Sequence, residues 1–112
     1  MKLILAVIKP FRLDDVRDAL APLGLPGMTL GEVRGFGRRT GQTEIYRGAE
    51  RQVHFQAKLK LELAVEDSLA EQVLEAVTSG ARSGSVGDGK VFMLDIERMV
   101  RIRTGETDAD AL

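Results

Sequence analysis

A chain of 112 residues with sixteen basic and seventeen acidic side chains, a net charge of −1 and no cysteine suits one domain around one core, burying roughly two-thirds of its unfolded surface. That balance gives no general field for nucleic acid or an anionic membrane, and the lack of cysteine excludes a disulfide scaffold and thiolate metal sites. No apolar run reaches membrane-spanning length and no cleavage-like segment opens the chain, so a cytoplasmic protein without direct membrane insertion is expected.

Residues 2 to 8 are a continuous aliphatic run ended by Lys9-Pro10, which reads as a strand buried on both faces. Leu13, Val16, Leu20 and Leu23 recur at helical spacing, Asp14 and Asp15 sit where carboxylates favour a helix N-terminus, and Gly24 and Pro26 end the element. A second strand is predicted over about Met28 to Arg34. The third has the clearest pattern: Val53, Phe55, Ala57, Leu59, Leu61, Leu63 and Val65 alternate with His54, Gln56, Lys58, Lys60, Glu62 and Ala64, giving one apolar and one mostly polar face. Ser68 with Glu71 reads as a capping box for a helix carrying Leu69, Val73, Leu74 and Val77, closed by Gly80. A fourth strand begins at Val91-Phe92-Met93-Leu94 and is expected to resume through Val100 and Ile102. The tail, 106–112, is acidic and reads as mobile.

The order β-α-β-β-α-β predicts an α+β, ferredoxin-like fold: a four-stranded antiparallel sheet with both helices on one face, spanning 1–112 as a single domain. Two helices cover only one side. The apolar second face of the first strand then calls for another copy of the chain, in a closed homo-oligomer.

Three stretches carry the candidate chemistry. Ser83-Gly84-Ser85-Val86-Gly87-Asp88-Gly89-Lys90 places three glycines in six positions beside a lysine, a composition that lets backbone N–H groups converge on an anion. It nearly spells the phosphate-binding GxxxxGK[ST] motif, but Val91 replaces the magnesium-ligating hydroxyl, and the loop leaves a helix and enters a strand, the reverse of a P-loop. A helix C-cap followed by a glycine-rich turn is the competing reading. Residues 37–52 form a connection too long for an ordinary hairpin, carrying Arg38, Arg39, Tyr46, Arg47, Glu50 and Arg51; it suits presentation to a partner, or is a solvated insertion. Arg101 and Arg103, two apart on an expected strand, would project paired guanidinium forks from one face, as a di- or triphosphate requires, unless that face is simply charged and exposed.

Taken together, Ile8-Lys9-Pro10-Phe11, Leu13-Asp14-Asp15-Val16, Gly35-Phe36-Gly37-Arg38, Glu44-Ile45-Tyr46-Arg47-Gly48-Ala49-Glu50, Gly87-Asp88-Gly89-Lys90-Val91-Phe92 and Arg101-Ile102-Arg103-Thr104-Gly105-Glu106 resemble the PII family of nitrogen-regulatory signal-transduction proteins along the whole chain. The resemblance implies a homotrimer with ATP or ADP as competing effectors in clefts between subunits, and a long loop that engages a protein target, an enzyme or transporter. It implies that Gly35, Gly37, Arg38, Glu62, Gly87, Asp88, Gly89 and Lys90 hold nucleotide from one subunit, Glu62 facing the ribose, while Arg101 and Arg103 reach in from the next. Lys58 would pair with a second ligand.

Three departures from the family pattern stand out. Arg39 replaces a Gln that helps coordinate Mg²⁺ between ATP and 2-oxoglutarate, and a guanidinium has no lone pair for a metal; this puts Mg²⁺ and 2-oxoglutarate in question and leaves Arg39 and Lys58 open to a different small anion. Arg51 stands where one branch has its uridylylated Tyr, and Ala49 where another has its phosphorylated Ser. Tyr46, Arg47, Glu50 and Arg51 are then partner-contact residues. Two rivals complete the field. A weak ATPase or phosphotransferase would use Asp88 or His54, the only histidine, but no nucleophile, base and orienting group are visible together and no catalytic residue is assigned. An RNA-binding sheet would need stacking aromatics, and only Phe55 approaches that role.

Overall fold

A computed structural model describes residues 1–36 and 55–112. The chain runs β1 (Lys2–Ile8), α1 (Leu13–Leu20), β2 (Thr29–Gly35), β3 (Gln56–Val65), α2 (Asp67–Ala81) and β4 (Gly89–Asp95). All strand pairs are antiparallel, in the order β2-β3-β1-β4. This is the expected ferredoxin-like arrangement, with the middle strands β1 and β3 the most aliphatic.

Register decides which side chains meet. Ile4 lies between Leu63 and Met93, and Ala6 between Leu61 and Val91. Ile4, Ala6, Ile8, Leu61, Leu63 and Val65 join Val16 and Leu20 of α1 and Ala70, Val73 and Val77 of α2 in one buried cluster. The period-2 face of the strands meets the period-3.6 stripes of the helices, and this burial is the main source of stability. The other face of β1 is only half-buried at Leu3, Leu5 and Val7, whose register neighbours on β4 are Leu94, Phe92 and Lys90. Within one chain, β1 is therefore buried on one face and not on both.

The ends of the elements differ from expectation in instructive ways. Gly24 takes the left-handed conformation (φ 63°) that closes the turn after α1, as its position implied. By contrast, α2 starts at Asp67 with Glu66 as its cap and no side-chain capping bond, so Ser68 lies inside the first turn and the capping box does not form. The N-terminal ammonium binds Asp67 instead, at 2.7 Å, and by hydrogen bonding and charge lowers that carboxyl below its usual range. Nor does Gly80 end the helix. It is buried within α2, where a Cβ would come within 2.8 Å of Val16 Cα, so it sets how closely α1 and α2 approach.

After β4 the predicted continuation fails. Val100 makes only an isolated bridge with Thr107, and residues 102–104 form a turn between them. The acidic tail is ordered too: Asp108–Ala111 form a short 3-10 turn with Ala111 buried, anchored where Asp108 N–H donates to the Met99 carbonyl (2.7 Å) and Asp108 Oδ1 accepts from Met99 N–H (3.1 Å).

Candidate functional site

The glycine loop joins α2 to β4 as expected, and its glycines are there for conformation. Gly84, Gly87 and Gly89 have φ of 86°, 89° and 101°, and a Cβ on Gly89 would fall 1.8 Å from the Val7 carbonyl oxygen. No side chain fits at 89.

The N–H groups do not all point to an empty cradle. Ser83 and Gly84 N–H each donate to Asp88 Oδ2 at 2.9 Å, and the Ser83 hydroxyl donates to Asp88 Oδ1. Lys9 Nζ lies 3.2 Å from the same carboxylate and donates to the hydroxyls of Ser83 (3.1 Å) and Ser85 (3.0 Å). The Ser83 hydroxyl first, then these N–H donors and Lys9, hold the Asp88 carboxyl far below the usual carboxylate range despite partial burial. Asp88 is thus the anion around which the first half of the loop is built.

Lys58 closes the site from β3. Its ammonium donates to the Gly87 carbonyl, and burial first, then repulsion from Lys9, lowers its pKa, with Asp88 pulling the other way. Lys58 Nζ and Lys9 Cε both lie within 3.6 Å of where a Cβ on Gly87 would stand. The structure therefore unites Gly87, Asp88 and Lys58, which the sequence had divided between two ligands, and adds Lys9, Ser83 and Ser85. Lys9 could have been found: it shares the odd-numbered face of β1 with Leu3, Leu5 and Val7, and so faces the same way as Lys58 and Lys60.

Lys90 is exposed on that uncovered face, opposite Val7 and across β1 from Lys60. Glu62 is half-buried on the same face between Leu5 and Thr29. Gly35 ends β2 opposite Gln56, beside an edge-to-face pair of Phe36 and Phe55 at 5.2 Å. A cleft of about 410 Å³ lies between Leu74, Thr78, Ala81 and Arg82 on one side and Asp88, Gly89, Lys90 and Val91 on the other. Gly37, Arg38, Arg39, Tyr46, Arg47, Glu50, Arg51 and His54 lie outside the described residues.

Arg101 and Arg103 are not brought to the loop. They follow the end of β4 that pairs with Lys2, opposite the Gly89 end, and neither lies on a strand, so no shared strand face aims their forks. Among the described residues, the Arg101 side chain bonds or pairs with Glu106, Ala111 and Leu112.

Comparison with known proteins decides the family. The family model described as "Nitrogen regulatory protein P-II" matches residues 1–106. The chain belongs to the P-II family. Curated relatives include "Nitrogen regulatory protein P-II" of Haemophilus influenzae, 55% identical over 112 residues, that of Rhizobium etli, 53% identical, and "Nitrogen regulatory protein P-II 1" of Escherichia coli, 52% identical, each covering 100% of both chains. The family is one of regulators in signal transduction. Among the described residues no helix is long and apolar enough to cross a membrane.

Proposed function

We propose that this protein is a homotrimeric regulator that binds ATP or ADP in clefts between subunits and passes the nucleotide state to a protein target through residues 37–52. The carrying observation is the convergence of Lys9, Lys58 and Lys90 with the left-handed glycines 87 and 89 at one end of an uncovered sheet face. Gly35 and Gln56 stand at that same end, so the segment joining them starts and finishes beside the cations.

In this reading Lys90 and the backbone of Gly87 to Gly89 take the phosphates, with Gly35, Gly37 and Arg38 at the base of the connecting segment and Glu62 facing the ribose. Arg101 and Arg103 are supplied by a neighbour, since a chain's own pair follows the end of β4 opposite its glycine loop. Lys58, with Arg39, takes a second small anion, and releasing Lys58 from the Gly87 carbonyl couples that anion to the phosphate loop. Tyr46, Arg47, Glu50 and Arg51 meet the target. A tenfold preference between ATP and ADP needs about 1.4 kcal/mol of differential interaction, which one charge-assisted bond to the terminal phosphate supplies.

Calorimetric titration of ATP into the wild type and Lys90→Ala tests the site. Loss of one charged donor is expected to weaken binding by about 10- to 100-fold; unchanged affinity would remove Lys90 from it. Deleting residues 41–50 is expected to spare ATP binding and abolish target binding.

A further inference from the structure

The side chain of Arg101 is engaged by its own chain. Its Nη2 donates to the Ala111 carbonyl (3.2 Å) and to a main-chain carboxylate oxygen of the last residue, Leu112 (3.1 Å), and its Nη1 lies 3.6 Å from Glu106 Oε1. The backbone reinforces the same closure: Arg101 N–H donates to the Glu106 carbonyl at 2.8 Å, and Gly105 N–H, at φ 78°, returns to the Arg101 carbonyl at 2.7 Å. The tail is held in turn by buried Ala111 and by the two bonds between Asp108 and Met99. Asp108 is the only residue other than glycine with positive φ (52°) among the described residues, a conformation that Asp adopts more readily than most L-residues and that the surrounding contacts hold in place. Arg103 is exposed and has no such contacts within the described residues.

We infer that residues 106–112 are a latch that occupies Arg101 until a polyphosphate takes it, so that the tail opens when nucleotide binds. This rests on the nucleotide reading above. The guanidinium fork that would meet two phosphate oxygens now meets one carbonyl, the carboxylate of Leu112 and that of Glu106. A polyphosphate offers several negative charges on adjoining oxygens that meet both arms of the fork at once, and so competes with the two carboxylates. Only after Arg101 lets go does the tail lose its clasp. Arg103 is free to make first contact, and Arg101 follows at the expense of the latch.

The test is a double-mutant cycle read by ATP calorimetry on the full chain, a chain ending at Asp110, Arg101→Ala, and the combination, with thermal melts confirming that each is folded. The chain ending at Asp110 is expected to bind ATP roughly fivefold more tightly than the full chain, about the net worth of one hydrogen bond. In the Arg101→Ala background the same truncation is expected to change nothing. Hydrogen exchange gives a second readout on the unaltered protein: Asp110 and Leu112 N–H, bonded to the Thr107 and Ala109 carbonyls, should exchange faster with saturating ATP. Equal or weaker binding by the truncated chain, a gain that persists without Arg101, or slower tail exchange with ATP each overturns the latch. If the full chain and all variants fail to bind ATP, the nucleotide reading falls and takes the latch with it.

Discussion

At the scale of single residues, Asp88 illustrates how far a side chain's role depends on register. Within Gly-Asp-Gly-Lys it reads as part of an anion site, yet it accepts from Ser83 and Gly84 N–H and pairs with Lys9, so it is itself the bound anion. Its pH dependence has a definite sign. The folded-state pKa is depressed, so the unfolded chain takes up the proton first as pH falls; the stabilisation is complete above the ordinary carboxylate range, near 4, and is lost as pH drops toward the folded value. Comparing wild type with Asp88→Asn by urea denaturation between pH 8 and pH 2.5 is expected to show a constant gap at neutral pH that narrows below about pH 4. A gap that is flat throughout would mean that the charge contributes nothing. Residue type and family pattern single out Lys58 and Gly87, which the structure brings into contact; Lys9 next to Pro10 reads as punctuation, and only strand parity and pairing bring it to Asp88.

Elements were legible where one periodicity ruled the segment. The alternation along β3 and the aliphatic run of β1 gave correct strands because cross-strand packing and side-chain period reinforce one another, and the helical spacing of Leu13, Val16 and Leu20 gave α1 to within its terminal turn. The misjudged features are those decided by tertiary contact. Ser68 and Glu71 have capping-box spacing, but the N-terminal ammonium reaches Asp67 from another element; Val100 and Ile102 alternate like a strand, but Val100 bridges back to Thr107 and Ile102 is left 97% exposed. Gly80 is the sharpest case, a helix breaker by composition and a helix contact by position. Its substitution by Ala puts a methyl within 3.1 Å of three backbone atoms of α1, atoms that cannot rotate away. Gly80→Ala should therefore cost about 1–3 kcal/mol through forced separation of α1 and α2, which lowers the melting temperature by several degrees in a domain of this size. Gly27→Ala, where nothing lies within 4 Å, is the matched control and should melt close to wild type; equal melting of the two variants would remove the steric role of position 80.

For the whole molecule, the uncovered sheet face links assembly to the proposed nucleotide site. Leu3, Leu5 and Val7 are half-buried, and Phe92 and Leu94 retain 46% and 47% of their exposure beside them, although the helices already fill the other face. Covering five such side chains contributes on the order of 1 kcal/mol each, against an association cost of about 4–15 kcal/mol. One such contact barely compensates that cost, whereas a closed ring gives every chain two interfaces and distributes the cost over more buried area. A charge in the middle of the face should therefore be decisive. Phe92→Glu sets a carboxylate against Leu5 and its neighbours, and burying it unpaired costs several kcal/mol, more than the apolar contact it replaces returns. Light scattering is expected to give three chain masses for wild type and one for Phe92→Glu, with the helix content of the two unchanged because Phe92 points away from the core. On the proposed reading nucleotide affinity falls in the same variant, since Arg101 and Arg103 would then have no neighbouring glycine loop to serve. A monomeric Phe92→Glu protein that bound ATP as tightly as wild type would place the whole site within one chain, and the assignment of both arginines to it would have to be abandoned.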